Sequence, residues 1–244
     1  MARPACLPWV FILTASAVVS NSSAAFKAWR SVETQREVAA LALVDNDPDE
    51  QALLEALLDE HKPPVPPGAQ KLHYLLSTPF RYPASPPNGT RFVRPGALGM
   101  LYAAEDKATA MAESGYWQFR FINASAGLRD THITLQRTLF QVDVAGNAVD
   151  LRLPPFDAAP ERWTQPDDYS ATHDIGTGAR ENGDVDLILY SSVRDPAHGL
   201  CIAVVQMRAF KRNKPLASEE WHLTILADHV LFRRGRETVS FRFA

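Results

Sequence analysis

Four residues that lie far apart in the sequence together supply a cation, an aromatic ring, a carboxylate and a hydroxyl. They are Arg91, Tyr102, Glu113 and Ser192, and Arg194 follows two positions after the serine. The neighbours of Glu113 on its N-terminal side are nearly all small or apolar, so this carboxylate is expected to be partly buried. A buried charge needs a partner or performs a task, which makes Glu113 the leading candidate for catalysis.

Each of these residues also has a plain structural explanation. Arg91 could be a surface charge, Tyr102 a core aromatic residue and Glu113 part of a solvated helix face. Two familiar catalytic patterns are missing, since the sequence has no Gly-x-Ser-x-Gly nucleophile elbow and no Walker phosphate loop. The seven histidines lack the spacing of zinc ligands, so no metal site is predicted.

Predicted strands and one helix would position the candidates. Arg91 lies in a strand predicted over 90–93, and Tyr102 lies near the end of a second strand over 99–103. Glu113 lies on a helix predicted to begin after an aspartate N-cap and to continue to about residue 115. The residues that follow either extend this helix or begin another strand.

Ser192 follows a buried strand predicted over 184–190, which itself follows a helix over 168–182 that is closed by Gly183. The remaining strands are predicted at 72–76, 131–144, 147–153 and 200–205, with two more between 221 and 243. These elements predict a mixed α+β domain.

The N-terminal part of the chain has a different character. Apolar residues at helical spacing predict helices over 26–44 and 49–60, which would pack as an antiparallel pair. The proline-rich run 63–68 ends helix formation and marks a boundary. The chain is therefore predicted to hold an N-terminal helical segment, residues 1–67, and a larger domain, residues 68–244.

Residues 1–25 contain an apolar run from Trp9 to Val19 with small residues at Ser22 and Ala24, which is the outline of a secretory signal peptide. A core helix and an incorrectly assigned start are the alternatives, and the run is too short to span a bilayer comfortably. Secretion would leave Cys201 as a lone cysteine, which favours a cytoplasmic protein.

Composition excludes several classes of protein. The chain has 244 residues, of which 46% are hydrophobic and 22% charged, so it can bury a sizeable core and is not disordered throughout. With 28 acidic and 25 basic residues, its net charge of −3 argues against a protein that coats nucleic acid by itself. Two cysteines exclude a disulfide framework.

A longer series of motifs occurs in a specific order between residues 70 and 225, with a weaker continuation at 29–33. These motifs are Thr78–Pro83, Arg91-Phe92 with Pro95-Gly96, Tyr102-Ala-Ala, Ala110–Glu113 with Tyr116-Trp117, Asp168–Ser170, Tyr190–Pro196 and Trp221–Leu223. Their order resembles the RES-domain family, the toxin components of bacterial toxin–antitoxin pairs, which is named for its Arg, Glu and Ser. Ser192 matches the family serine because it stands two before Arg194. Val93 departs from the usual asparagine, and the Arg-to-Tyr interval is one residue longer.

The resemblance implies an ADP-ribosyltransferase-like fold, in which a split β-sheet core is flanked by helices, and enzymes that act on NAD⁺. It implies that Glu113 stabilises the oxocarbenium character of the ribose as the nicotinamide–ribose bond breaks. Arg91 would bind phosphate, with Arg81 as a second candidate, because the guanidinium fork matches phosphate oxygens. Tyr102 would stack on the nicotinamide, and Ser192 would hydrogen-bond the ribose or the carboxamide. The implied substrate-binding set is Arg81, Arg91, Tyr102, Ser192 and Arg194.

The function implied in this way is a toxin that degrades NAD⁺, by hydrolysis or phosphorolysis, and arrests growth. Alternatives are a mono-ADP-ribosyltransferase that modifies a host protein and an inactive module that only binds an antitoxin. The implied partner is an Xre-type antitoxin that blocks the active site and binds the operator, so DNA is contacted only through it. NAD⁺ is expected as the substrate, without a cofactor, a metal or a membrane. The segment 26–61 is predicted to dock a partner, to form a homodimer contact or simply to pack on the domain.

Overall fold

The computed structural model describes residues 22–34, 47–84, 87–128 and 133–243. Within these ranges the strands are β1 Ser22–Glu33, β2 Leu101–Ala104, β3 Ile133–Asp150, β4 Leu187–Ser191, β5 Leu200–Val204, β6 Ala217–Ile225, β7 His229–Arg234 and β8 Glu237–Arg242. The helices are α1 Pro48–Glu60, α2 Tyr74–Arg81, α3 Lys107–Ala124 and α4 Ser170–Asn182. The predicted α+β class is confirmed.

The strands form one mixed sheet in the order β1-β2-β5-β4-β3-β6-β7-β8, and β1 also pairs with β3. Strands β1, β2, β5, β4 and β3 therefore make a closed circuit of paired strands, and β6, β7 and β8 extend the sheet beyond β3. The long strand β3 makes this possible because one of its edges pairs antiparallel with β1. Its other edge pairs antiparallel with β6 and then, near its end, parallel with β4.

Strand β3 passes close to the start of β4 at Gly146. A Cβ added to Gly146 would lie 2.4 Å from the carboxylate Oδ2 of Asp186, so the close approach needs glycine. Asp186 uses the same oxygen to accept the backbone N–H of Asn147 at 2.9 Å. A buried carboxylate thereby holds β3 beside the chain that leads into β4.

Helix α3 packs on the sheet through an apolar cluster that joins it to β6, β7 and β8. Met111, Ala112 and Ile122 of the helix are buried against residues such as Trp221 and Phe232 of the sheet. The helix predicted from the aspartate N-cap is confirmed, and it continues to Ala124, so the extension is the correct alternative for 116–122.

Helix α4 ends as the sequence predicts. Gly183 follows its last residue with φ of 72°, the left-handed conformation that glycine adopts without a Cβ penalty. The buried strand predicted after it is confirmed as β4.

The helix predicted over 26–44 is wrong for residues 26–33, which belong to β1. This stretch satisfies a helical spacing, but twelve residues of β1 pair with β3, and backbone hydrogen bonds along that length override the weak local preference. The first helix of the predicted antiparallel pair is therefore wrong over 26–33, while the second is present as α1. Residues 1–21 and 35–46 lie outside the described residues, together with the predictions made for them.

Four smaller predictions also need correction. The strand predicted at 72–76 is largely the first turn of α2. The strand at 90–93 is a tight turn, closed by two hydrogen bonds between the backbones of Thr90 and Val93. The two strands at 131–144 and 147–153 are the single strand β3, and the chain after 216 forms three strands instead of two. No helix of the described ranges is long and apolar enough to cross a membrane.

Candidate active site

A cavity of about 320 Å³ lies where β1, β2 and α3 meet the turn at 89–91. It is lined by Trp29, Arg30, Ser31, Gly89, Thr90, Arg91, Tyr102, Ala103, Ala104, Ala110, Glu113, Ser114, Trp117, Tyr169, Tyr190, Arg194 and Cys201. Four of the predicted site residues, Arg91, Tyr102, Glu113 and Arg194, therefore meet in one place.

The carboxylate of Glu113 is held by a serine that lies outside the cavity lining. Ser192 is fully buried, and its hydroxyl donates to Oε1 of Glu113 at 2.6 Å. The same hydroxyl oxygen accepts the backbone N–H groups of Arg194 at 3.2 Å and Asp195 at 2.9 Å. Because both acceptor positions of the oxygen are filled, its proton points to Glu113. The structure thus places Ser192 on Glu113 and not on the cavity wall where a ribose or carboxamide contact was expected.

The ring of Tyr102 is fixed to the turn that carries Arg91. Its hydroxyl accepts the backbone N–H of Phe92 at 3.1 Å and lies 2.8 Å from the hydroxyl oxygen of Thr90. Burial raises the pKa of Tyr102, so the phenol is neutral at physiological pH. The Tyr102 ring is thereby presented to the cavity as a fixed, uncharged wall.

Arg91 is buried and has one end of its guanidinium fixed. Its Nη1 donates to the backbone carbonyls of Trp163 at 3.1 Å and Gln165 at 3.2 Å. The guanidinium carbon lies 5.0 Å from the ring centroid of Tyr169 and 5.9 Å from that of Tyr190. Among the described residues nothing accepts a hydrogen bond from Nη2 or Nε, so Arg91 offers two donors in a fixed direction.

Arg30 of β1 lines the cavity, although the sequence analysis did not name it as a site residue. Its Nη1 donates to the backbone carbonyl of Tyr102 at 2.8 Å. Burial lowers the pKa of Arg30 to about 10, which still leaves it protonated near neutral pH. The weak motif at 29–33 was the feature of the sequence that pointed to Arg30. Because a helix was predicted there, the position of Arg30 beside the cavity was not predicted.

Arg194 approaches the cavity from the loop after β4. Its guanidinium carbon lies 3.7 Å from the ring centroid of Tyr116, and Nη2 donates to the carbonyl of Pro166 and lies 3.6 Å from Asp167. Within the described part of the chain, the buried side-chain nitrogen and oxygen atoms without a hydrogen-bond partner are Nε of Arg194 and Nε of Arg30. Buried donors are nearly always paired, so two orphaned nitrogens on residues that line the same cavity are unusual.

Two neutral groups complete the surroundings of Glu113. Cys201 lies with its sulfur 4.0 Å from Oε1 of Glu113, and Tyr190 also lines the cavity. Burial, reinforced by the negative charge of Glu113, raises the pKa of both the Cys201 thiol and the Tyr190 phenol. Glu113 is the carboxylate among the residues that line this cavity.

Arg81 is not brought to the site. It ends α2, its Nε donates to the carbonyl of Pro63, and it does not line the cavity. No group of three or more His, Cys, Asp or Glu residues in the described ranges could hold a metal ion.

Comparison with known proteins adds evidence independent of this geometry. A sequence model of the RES domain matches residues 65–225. A chain of the crystal structure of the M. tuberculosis MbcT–MbcA toxin–antitoxin complex is similar in fold, with a TM-score of 0.50 and 14% sequence identity over 86% of this chain and 90% of that chain. No curated protein matches the sequence.

Proposed function

Because this chain belongs to the RES-domain family, we propose that it is the toxin of a toxin–antitoxin pair and degrades NAD⁺ by cleaving the nicotinamide–ribose bond. One observation carries the proposal. A single cavity is lined by Glu113, whose carboxylate Ser192 holds, and by the three arginines Arg30, Arg91 and Arg194. NAD⁺ would use both kinds of group. Its two phosphates are anionic and match the arginines, whereas its nicotinamide and the ribose at the breaking bond carry positive charge and match the carboxylate.

The arginines supply the phosphate-binding side of the cavity. A guanidinium group can donate two parallel hydrogen bonds to two oxygens of one phosphate. These charged hydrogen bonds are shorter and stronger than those from neutral donors. Arg91 is held through Nη1, so Nε and Nη2 remain for a ligand, and Arg30 and Arg194 each keep an unpaired Nε. A pyrophosphate bound here would lie beside the guanidinium groups of three arginines that line the cavity.

Aromatic rings supply the nicotinamide side. Tyr102, Tyr169, Tyr190 and Trp117 all line the cavity. The nicotinamide of NAD⁺ is cationic before cleavage, and aromatic faces attract cations. The neutral Tyr102 ring, fixed by its hydrogen bonds to the turn at 90–92, is the proposed stacking surface.

Glu113 supplies the charge that the reaction needs. As the C–N bond breaks, nicotinamide leaves with the bonding electron pair and the ribose gains oxocarbenium character, which a nearby carboxylate stabilises. Oε1 is held by Ser192, and among the described hydrogen bonds nothing occupies Oε2. Oε2 is therefore the oxygen proposed to face the ribose and the incoming nucleophile. Water adds to the ribose carbon and yields ADP-ribose with release of a proton, while inorganic phosphate would yield the phosphorylated product.

The partner proposed is an Xre-type antitoxin that covers the cavity and binds operator DNA, so the toxin itself contacts DNA only through it. The likeness in fold to a chain of a toxin–antitoxin complex supports an antitoxin as the partner. NAD⁺ is a cytosolic metabolite and operator DNA is intracellular, so the proposed location is the cytoplasm. NAD⁺ is the proposed substrate, and no other cofactor is proposed.

Incubation of the purified protein with adenine-labelled NAD⁺ tests the proposal. We expect equimolar release of nicotinamide, with the label in free ADP-ribose, or in its phosphorylated form when phosphate is required. Addition of the antitoxin should suppress the release. Label on protein instead of in a free product would replace NAD⁺ degradation by ADP-ribosylation of an acceptor, and intact NAD⁺ would refute the proposal.

A further inference from the structure

We propose that Thr109 and Asp195 are positioning residues, which hold Glu113 in place through Ser192 without touching the substrate. The inference rests on the function proposed for the cavity. Thr109 is 2% exposed and Asp195 6% exposed, and neither lines the cavity. Their contacts hold helix α3 and the loop 192–199 in a fixed relative position beside the carboxylate of Glu113.

Two hydrogen bonds join α3 to the loop 192–199, one helical turn apart. Thr109 and Glu113 are four residues apart on α3, so they lie on the same face of the helix. The hydroxyl of Thr109 donates to Oδ2 of Asp195 at 2.7 Å, and Oε1 of Glu113 accepts from Ser192 at 2.6 Å. Two attachment points along the helix axis fix both its distance from the loop and its rotation.

Asp195 also shapes the loop that carries Ser192. Its Oδ1 accepts the backbone N–H of Ala197 at 3.0 Å, and its Oδ2 accepts that of Gly199 at 3.3 Å. Its own backbone N–H donates to the hydroxyl oxygen of Ser192 at 2.9 Å. The carboxylate therefore links Thr109 to the amide that directs the Ser192 proton toward Glu113.

Gly199 shows how tightly this contact is built. A Cβ at position 199 would lie 2.1 Å from the hydroxyl oxygen of Thr109 and 3.0 Å from Oδ2 of Asp195. The residue before it, His198, has a positive φ of 52°, and its Nδ1 lies 2.9 Å from the carbonyl oxygen of Ser192. The loop thus takes a constrained path that brings its glycine against Thr109.

The test compares Thr109→Val with Thr109→Ser. The valine variant loses the bond to Asp195, and we expect kcat for NAD⁺ cleavage to fall about tenfold or more, since small displacements of catalytic groups are costly, while KM changes less than about twofold. The serine variant keeps a hydroxyl and should recover most of kcat. Backbone amide hydrogen exchange in 192–199 should be faster in the valine variant than in the wild type or the serine variant.

Asp186→Asn is the matched control. Asp186 is buried to a similar degree, at 7% exposure, and accepts the backbone N–H of Asn147, but it does not line the cavity. This substitution should lower the midpoint of thermal unfolding and leave kcat and the exchange of 192–199 unchanged. If Thr109 has a purely structural role, Thr109→Val should lower only the midpoint of thermal unfolding and leave kcat and the exchange of 192–199 unchanged. That result would overturn the proposal.

The two readouts separate this proposal from the function on which it rests. If the wild type leaves NAD⁺ intact, the proposed function fails, whereas the exchange comparison still decides the link to Ser192. A Thr109→Val enzyme that cleaves NAD⁺ with the wild-type kcat would overturn the positioning role. Should this variant not fold, Asp195→Asn replaces it, because the amide cannot accept at both oxygen positions. Its kcat is expected to fall with KM retained, and an unchanged kcat would count against the proposal in the same way.

Discussion

Replacing Ser192 by alanine removes the group that connects the carboxylate of Glu113 to the protein backbone. The substitution deletes a 2.6 Å hydrogen bond to a charged acceptor and leaves the amides of Arg194 and Asp195 without their acceptor. A hydrogen bond to a charged group contributes about 1.5–3 kcal/mol, and an unsatisfied buried donor costs about 1–3 kcal/mol. Because such contributions within one network are not additive, we expect the free energy of unfolding to fall by at least about 3 kcal/mol.

That loss should appear both in stability and in turnover. For a domain of this size, about 3 kcal/mol corresponds to a decrease of roughly 6–12 °C in the melting temperature. If Glu113 swings away from the ribose in part of the population, kcat should fall by about 10- to 100-fold, which is about 1.4–2.8 kcal/mol of lost transition-state stabilisation.

The assay is steady-state nicotinamide release together with thermal unfolding, and Ser191→Ala is the matched control. Ser191 is the last residue of β4, and its side chain forms no hydrogen bond with any residue that the structure describes. The control should therefore keep the melting temperature and kcat of the wild type. A Ser192→Ala enzyme with wild-type kcat would show that the serine does not position Glu113.

Three further predictions follow from the cavity and its surroundings. Arg30→Gln should raise KM for NAD⁺ about tenfold, as the loss of one phosphate contact requires, with a smaller change in kcat; an unchanged KM would remove Arg30 from the binding site. Arg81→Ala should leave KM for NAD⁺ unchanged, because Arg81 donates to the carbonyl of Pro63 away from the cavity, and a large rise in KM would restore it as a ligand. The raised pKa of the Cys201 thiol means that the folded protein holds this proton more tightly than the unfolded chain, so its contribution to stability is present below about pH 9 and is lost as pH rises further. Unfolding titrations between about pH 7 and 10 should therefore show a decline that is weaker in Cys201→Ala, and identical slopes would contradict this account.

Local features of the sequence were sufficient to predict the helix and the strand that carry Glu113 and Tyr102. The helix that carries Glu113 has an aspartate at its N-cap position and a run of small residues, and both are local features of the sequence, although the aspartate side chain makes no capping hydrogen bond. The short apolar run at 99–103 predicted a strand there, which is present as β2. The Arg–Tyr–Glu order then brought the family resemblance, and the matched domain at 65–225 agrees with it.

The rest of the site depends on contacts between distant parts of the chain. Arg30 reaches the cavity because β1 pairs with β3, and a helical spacing in 26–33 conceals that pairing. Arg91 lies in a turn that is held in place from β2, because the hydroxyl oxygen of Tyr102 accepts the backbone N–H of Phe92. Whether Ser192 meets the substrate or Glu113 is decided by the two backbone amides that fill its acceptor positions. None of these relations leaves a periodic signal in the sequence.

The rate of nicotinamide release by wild type, Glu113→Gln and Glu161→Gln tests the central claim most directly. Glu161 is an exposed carboxylate that does not line the cavity, so its variant controls for the loss of one negative charge. We expect the wild type and Glu161→Gln to release nicotinamide at equal rates, and Glu113→Gln to be slower by about 10²–10³-fold while it stays folded. Equal rates for all three proteins would contradict the assignment of Glu113 as the residue that stabilises the breaking bond.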